Sequence, residues 1–190
     1  MFSYYVVGAL KFAQAKHEGQ VRKGSKLPYI THPVAVAMGL MTAFSVKENA
    51  TDEDYSSRII TPRLRDDLTV AALLHDVMED CGVTRYDLLS RGYSEFVVGL
   101  VEELTNDREE IKRVGKTKHH YDKFRALSSL AFDVKLFDRY DNINDQPTKL
   151  MVDQTLAILC DIEKDRQITA LQGQFIDEIR RTCHQVVYTK

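Results

Sequence analysis

Cysteine is scarce and scattered. Cys81, Cys160 and Cys183 form no CxxC pair, which argues against a disulfide framework or a structural zinc site and favours a reducing setting. Proline and glycine are few, at 4 and 9 residues, so little interrupts long helices. The formal net charge is only −2. That leaves no global basic field, and no nucleic-acid partner is expected. No apolar run approaches the roughly 18 residues of a membrane span, so no membrane partner is expected either. The opening MFSYYVVGALKFAQAKHEGQ lacks the charged start of a secretory leader, and the expected location is the cytoplasm. No stretch alternates apolar and polar residues over a useful strand length.

What is present is helical periodicity. Within 190 residues, 44% hydrophobic and 28% charged, the chain is expected to form one all-α domain over 1–190, a compact multi-helix fold. Residues 2–18 carry apolar residues at helical spacing. Gly19, Gly24 and Pro28 then make 19–31 a loop. Thr31 is expected to cap a helix that His32 and Pro33 open. The polar 46–66 stretch reads as a loop or insertion, with Asp66 or Asp67 capping a central helix that runs to about Cys81, where Gly82 stops it. Thr84 is expected to cap a short helix to Ser90, and another spans about 93–104. Residues 105–118, TNDREEIKRVGKTK, read as a solvated connection. Helical pattern resumes at 119–130 and 131–145. Pro147 interrupts it, and helices near 152–163 and 168–187 form a helical C-terminal part over 152–190.

The chemistry gathers in two words. In VAALLHDVMEDCG, 70–82, the pair His75-Asp76 precedes Glu79-Asp80 by one helical turn, so on an unbroken helix each residue of the first pair lies under its counterpart. Imidazole and carboxylate together suit manganese, iron or zinc, and a second carboxylate pair suits proton transfer. In AFDVKLFDRYDNIND, 131–145, Asp138 and Asn142 share a face, with Asp141 and Asp145 close to it. Asp138 has the chemistry to join His75 and Asp76 around an ion, and Asn142 to meet a ribose hydroxyl or a phosphate.

The order His32, His75-Asp76, Asp138 resembles the H…HD…D signature of the HD-domain metal-dependent phosphohydrolases. AKHEGQVRKGSKLPYITHPVAVA at 15–37, LLHDVMEDCGVT at 73–84, VEELTND at 101–107 and KLFDRYDNIND at 135–145 narrow the resemblance to the hydrolase domain of Rel/Spo-type alarmone enzymes. It covers about residues 5–150, and a small stand-alone alarmone hydrolase is the nearest pattern. The resemblance implies His32, His75, Asp76 and Asp138 as metal ligands with Mn²⁺ as the ion, and Glu79 and Asp80 as the catalytic pair that positions and activates water. It also implies Arg22, Lys23 and Asn142 as nucleotide contacts. The implied reaction removes the 3′-pyrophosphate from (p)ppGpp, giving GDP or GTP and pyrophosphate.

Three departures stand out. The segment between His32 and His75 is longer than the compact family pattern. Phe137 stands where a small residue is common, and Tyr140-Asp141 precedes Asn142. The last two are expected to bear on the nucleotide side more than on the metal side. Lys112, Arg113, Lys116 and Lys118 offer basic reach over a pocket, or a solvated charge run. His17, His119, His120 and His184 lie outside the pattern and are expected to be structural or on the surface. Competing readings are an HD-type hydrolase acting on (p)ppApp, NADPH or a deoxynucleotide, and a nucleotide-sensing module without turnover. The sequence leaves open whether the helical tail packs on the domain or pairs with a second copy in a homo-oligomer.

Overall fold

The computed structural model describes residues 3–46, 48–51 and 59–188. Among these, helices follow one another almost without interruption: α1 (Tyr4–Lys16), α2 (Thr31–Ala43), α3 (Pro62–Leu74), α4 (Val77–Cys81), α5 (Arg85–Ser90), α6 (Glu95–Leu104), α7 (Arg108–Val114), α8 (Lys116–Ala126), α9 (Ser129–Asn144), α10 (Lys149–Asp165) and α11 (Ala170–Tyr188). The class is all-α. The one sheet among the described residues is a parallel pair of two-residue strands, β1 (Ser45–Val46) and β2 (Ile59–Ile60). These strands bracket the polar segment. Residue 47 and residues 52–58 of the expected insertion lie outside the described residues.

Two helices organise the rest. Helix α3 is buried on every side from Asp67 to Leu74, as a helix apolar all round must be. It packs against α1, α2 and α6. Helix α9 is buried from Ala131 to Arg139 and packs against α2, α6 and α11. Gly39 of α2 lies against α9 where a Cβ would meet the Phe137 ring at 2.5 Å, so only glycine lets the two helices approach there. On the other side Phe137 meets Phe175 of α11, with ring centroids 4.2 Å apart.

Several boundaries differ from expectation. Helix α3 starts at Pro62, because Thr61 accepts from the Leu64 amide and Pro62 occupies the first turn. Asp67 is no cap; it accepts from Arg63 Nε at 2.8 Å. Nor does Thr31 cap α2: Ile30 precedes the helix without a side-chain cap, and the Thr31 hydroxyl donates to the Pro28 carbonyl. The charged 105–118 stretch is largely helical, since Asp107 accepts from the amides of Glu109 and Glu110 and starts α7. Gly82 does end its helix, at φ +65°, and Thr84 does cap α5, in a reciprocal pair with Asp87.

Candidate metal and nucleotide site

The expected unbroken helix through 70–81 is broken. The chain turns at His75-Asp76 and restarts at Val77. His75 Nδ1 lies 2.7 Å from the Ala72 carbonyl oxygen, a bond an Nδ1–H donates, and it leaves Nε2 free to face the site. The turn separates the two acidic words. His75 and Asp76 enter a buried cluster, while Glu79 and Asp80 stand on the wall of the adjoining cavity.

The cluster is made from α2, the α3–α4 turn and α9. His32 and His75 meet with their Nε2 atoms 3.3 Å apart. Asp138 Oδ1 is 3.1 Å from His32 Nε2 and 3.9 Å from His75 Nε2. Asp76 Oδ2 is 3.0 Å from His75 Nε2 and 3.5 Å from His32 Nε2. One ligand atom from each of His32, His75 and Asp138 falls within 4.8 Å of the others, a group that could hold a metal ion. Two imidazole nitrogens facing each other among carboxylate oxygens form a donor set suited to a transition-metal dication.

Without such an ion the cluster shares protons. Burial works to lower the pKa of His32, but hydrogen bonds to Asp138 and Asp141 and the charges of Asp138 and Asp76 outweigh it and raise it to about 9. His75 moves up as well, its burial overcome by Asp76 and Asp138. Burial also opposes ionisation of Asp76 and Asp138. The histidines, with Lys135 beside Asp138, hold both carboxyls below the ordinary range.

A second ring of side chains fixes these groups. The Tyr29 hydroxyl donates to Asp76 Oδ2 at 2.7 Å. Lys135 Nζ is 2.6 Å from Asp138 Oδ2, and Asn142 Nδ2 donates to Asp138 Oδ1 at 2.5 Å. Asp141 Oδ2 lies 2.7 Å from His32 Nδ1. It also pairs with Arg22, whose Nε donates to Asp145 at 3.0 Å. The departure at Asp141 therefore bears on His32 and not on the nucleotide side as expected. Phe137 and Tyr140 border a different pocket between α2, α9 and α11, so they bear on packing.

The cavity beside the cluster measures about 630 Å³, ample for a small ligand. Glu79 Oε2 accepts from the amide and side chain of Asn106, at 3.1 and 2.8 Å. Arg108 donates to the Glu79 carbonyl and to Asp80. Arg22, Lys23 and Asn142 border the same space. Arg22 is 5% exposed and fully engaged by two carboxylates, so it anchors its loop and has no free charge to offer. Gly24 follows it so closely on α9 that a Cβ would stand 2.0 Å from the Asp145 carbonyl oxygen.

Tyr29, Asn106, Arg108, Lys135, Arg139 and His120 lie outside the set the sequence points to, and all six border the cavity. The first three lie in or beside words already singled out, and Lys135 sits three residues before Asp138, on one face. His120 was expected outside the site and its sequence gives no sign of its place. Of the four cations that offer either reach over the pocket or a solvated run, Lys116 borders the pocket. Lys112, Arg113 and Lys118 are spent in surface pairs with Glu109, Glu110 and Asp122.

The chain is similar to known proteins. The chain is 31% identical over 137 residues to the guanosine-3′,5′-bis(diphosphate) 3′-pyrophosphohydrolase MESH1 of Drosophila melanogaster, covering 72% of this chain and 66% of that one. A similarly named pyrophosphohydrolase of Aquifex aeolicus is 27% identical, over 96% of this chain but 24% of that protein. The chain thus spans just under two thirds of the fly relative and a quarter of the bacterial one. A solved structure described as a metazoan orthologue of SpoT that hydrolyses ppGpp matches with a TM-score of 0.68 and 26% identity, over 94% of this chain and 95% of that one. The HD domain model matches residues 9–155, most of the chain and every residue of the cluster, and the chain belongs to the HD domain family.

Proposed function

We propose that the chain is a metal-dependent guanosine 3′,5′-bis(diphosphate) 3′-pyrophosphohydrolase, splitting (p)ppGpp into GDP or GTP and pyrophosphate in the cytoplasm. The observation that carries this reading is the convergence of His32, His75 and Asp138 within 4.8 Å at a cavity whose wall holds Glu79 and Asp80. The named activities of the relatives support the substrate. His32, His75, Asp76 and Asp138 would hold the ion; Mn²⁺ is the ion the resemblance implies, and a mixed imidazole and carboxylate set is compatible with it. When bound, such an ion supplies Lewis-acid polarisation of a phosphoryl oxygen and a lowered pKa for water.

The chain's own groups do the rest. The Nδ1 contacts of His75 with Ala72 and of His32 with Asp141 turn both Nε2 atoms toward the ion. Asn106 holds Glu79 at a fixed angle, so Glu79, with Asp80 beside it, orients the attacking water and accepts its proton. Lys23 and Asn142 contact the nucleotide. Arg22 holds the loop that presents Lys23.

The test is incubation of metal-stripped protein with ppGpp, with and without Mn²⁺, and separation of products by anion exchange. GDP and pyrophosphate appearing only with metal is the expected result. No turnover by protein shown to bind Mn²⁺ removes ppGpp as the substrate. A paired Glu79→Gln, Asp80→Asn variant is expected to bind Mn²⁺ and lose about 10²–10⁴-fold in turnover.

A further inference from the structure

Arg139 is 8% exposed and borders the cavity. Among the described residues its guanidinium makes no hydrogen bond and no ion pair, only a stacking contact over the Phe124 ring, 5.5 Å from its centroid. An arginine stays charged in such a place, and a buried charge without a partner is strongly unfavourable. Asp138, its neighbour in sequence, acts on it only at a distance, because its oxygens are bonded to Lys135, Asn142 and His32. Successive side chains also diverge by about 100° around a helix, so Arg139 faces the cavity beside the cluster and not into it.

The surplus of positive charge is shared by its neighbours. Lys116 borders the same cavity and makes no ion pair among the described residues. His120 is pushed down to about 3, by burial first and then by the charges of Arg139, Lys135 and Lys116. A neutral imidazole surrounded by cations is a hydrogen-bond donor awaiting an anion.

We propose that Arg139, with Lys116 and His120 beside it, forms a subsite for a second phosphate group of the substrate, the 5′-diphosphate of a 3′,5′-bisphosphorylated nucleotide. The scissile 3′ group then lies at the cluster. This assignment rests on the hydrolase reading above. It explains why a buried guanidinium is kept without a protein partner: the partner is the ligand.

The first test titrates inorganic pyrophosphate into metal-stripped full-length protein by calorimetry. Arg139→Met keeps an apolar stem over Phe124 and is expected to bind about tenfold more weakly, the size of a lost charge-assisted hydrogen bond. Arg139→Lys is expected to recover part of the loss, and the exposed Lys116→Ala to lose about two- to fivefold. Equal affinity in wild type and a folded Arg139→Met overturns the subsite. If Arg139→Met does not fold, unchanged affinity in both Lys116→Ala and His120→Gln overturns it. The second test compares KM for ppGpp and for guanosine 3′-diphosphate, which lacks the 5′ groups, in Mn²⁺-loaded enzyme. Wild type is expected to favour ppGpp, and Arg139→Met to lose about tenfold of that preference. A wild-type enzyme indifferent to the 5′-diphosphate overturns the proposal. Failure of wild type to turn over either compound refutes the hydrolase reading alone, and the pyrophosphate titration then decides the subsite by itself.

Discussion

The two basic walls of the cavity carry similar residues and opposite electrostatics. On the wall from the 19–30 loop, Arg22 meets Asp141 and Asp145, and the latter also accepts from the Gly24 and Ser25 amides. On the wall from α8 and α9, Arg139 meets an aromatic face and makes no ion pair among the described residues. Both arginines are almost fully buried. The first is a structural clamp and the second a stored charge. An arginine's identity therefore says little about whether its charge is available to a ligand. The carboxylates around it decide that.

The largest effect that would break this contrast is on stability. Arg22→Gln leaves Asp141 and Asp145 without their cation, and is expected to cost about 3 kcal/mol. Arg139→Met removes a charge that has no partner to strand, and is expected to be neutral or stabilising by about 1 kcal/mol. Urea unfolding of both variants checks the pair. Equal losses would make Arg139 as structural as Arg22.

Asp141 joins the clamp wall to the cluster, so its replacement probes both. Asp141→Ala leaves Arg22 with Asp145 but releases His32 Nδ1. Loss of a group that orients a metal-binding imidazole is expected to weaken Mn²⁺ binding about 10–100-fold, read by competition with a chelating dye. Binding unchanged from wild type would confine Asp141 to holding the loop.

Much of this site was legible in the sequence. His32, His75, Asp76 and Asp138 stand in the order the resemblance rests on, and the fold brings them together. Glu79, Asp80, Lys23 and Asn142 border the adjoining cavity. What escaped was partnership. Nothing in RKG announces that Arg22 will be taken by two aspartates more than a hundred positions away, or that Asp141 will reach back to His32. The helix break at His75 was hidden as well. Periodicity reports which residues are apolar, and it is silent on a side chain that bonds the carbonyl of its own preceding turn. Helix α7 is hidden in the sequence because its charges point to a solvated connection. A solvated face is compatible with a helix when Asp107 caps it and Glu-Arg pairs line it.

Acid sharpens the contrast from the α8–α9 side. With its folded pKa near 3, His120 stays neutral in the fold, while in the unfolded chain it takes a proton near the usual 6.5. At pH 7 both states are mostly neutral there. As the pH falls below about 6.5 the unfolded chain binds the proton first, so stability falls by up to about 1.4 kcal/mol per pH unit until the folded pKa is reached. His120→Gln is expected to flatten that slope between pH 6.5 and about 5, above the range where most carboxylates titrate. An unaltered slope would mean that burial and the surrounding cations do not keep His120 neutral in the folded protein.

The smallest expected effect lies outside both walls, on α7. Lys112 and Arg113 pair with Glu109 and Glu110 one turn away, on a helix with no buried residue. Exposed pairs of this kind contribute about 0–1 kcal/mol. Lys112→Ala is expected to change unfolding free energy by less than about 0.5 kcal/mol and to leave pyrophosphate affinity within twofold, roughly the limit for a screened surface charge. If instead affinity fell as far as in Arg139→Met, the field that receives the phosphate would extend along the whole 108–139 segment. The contrast between the walls would then be one of summed charge and not of a single unpaired guanidinium.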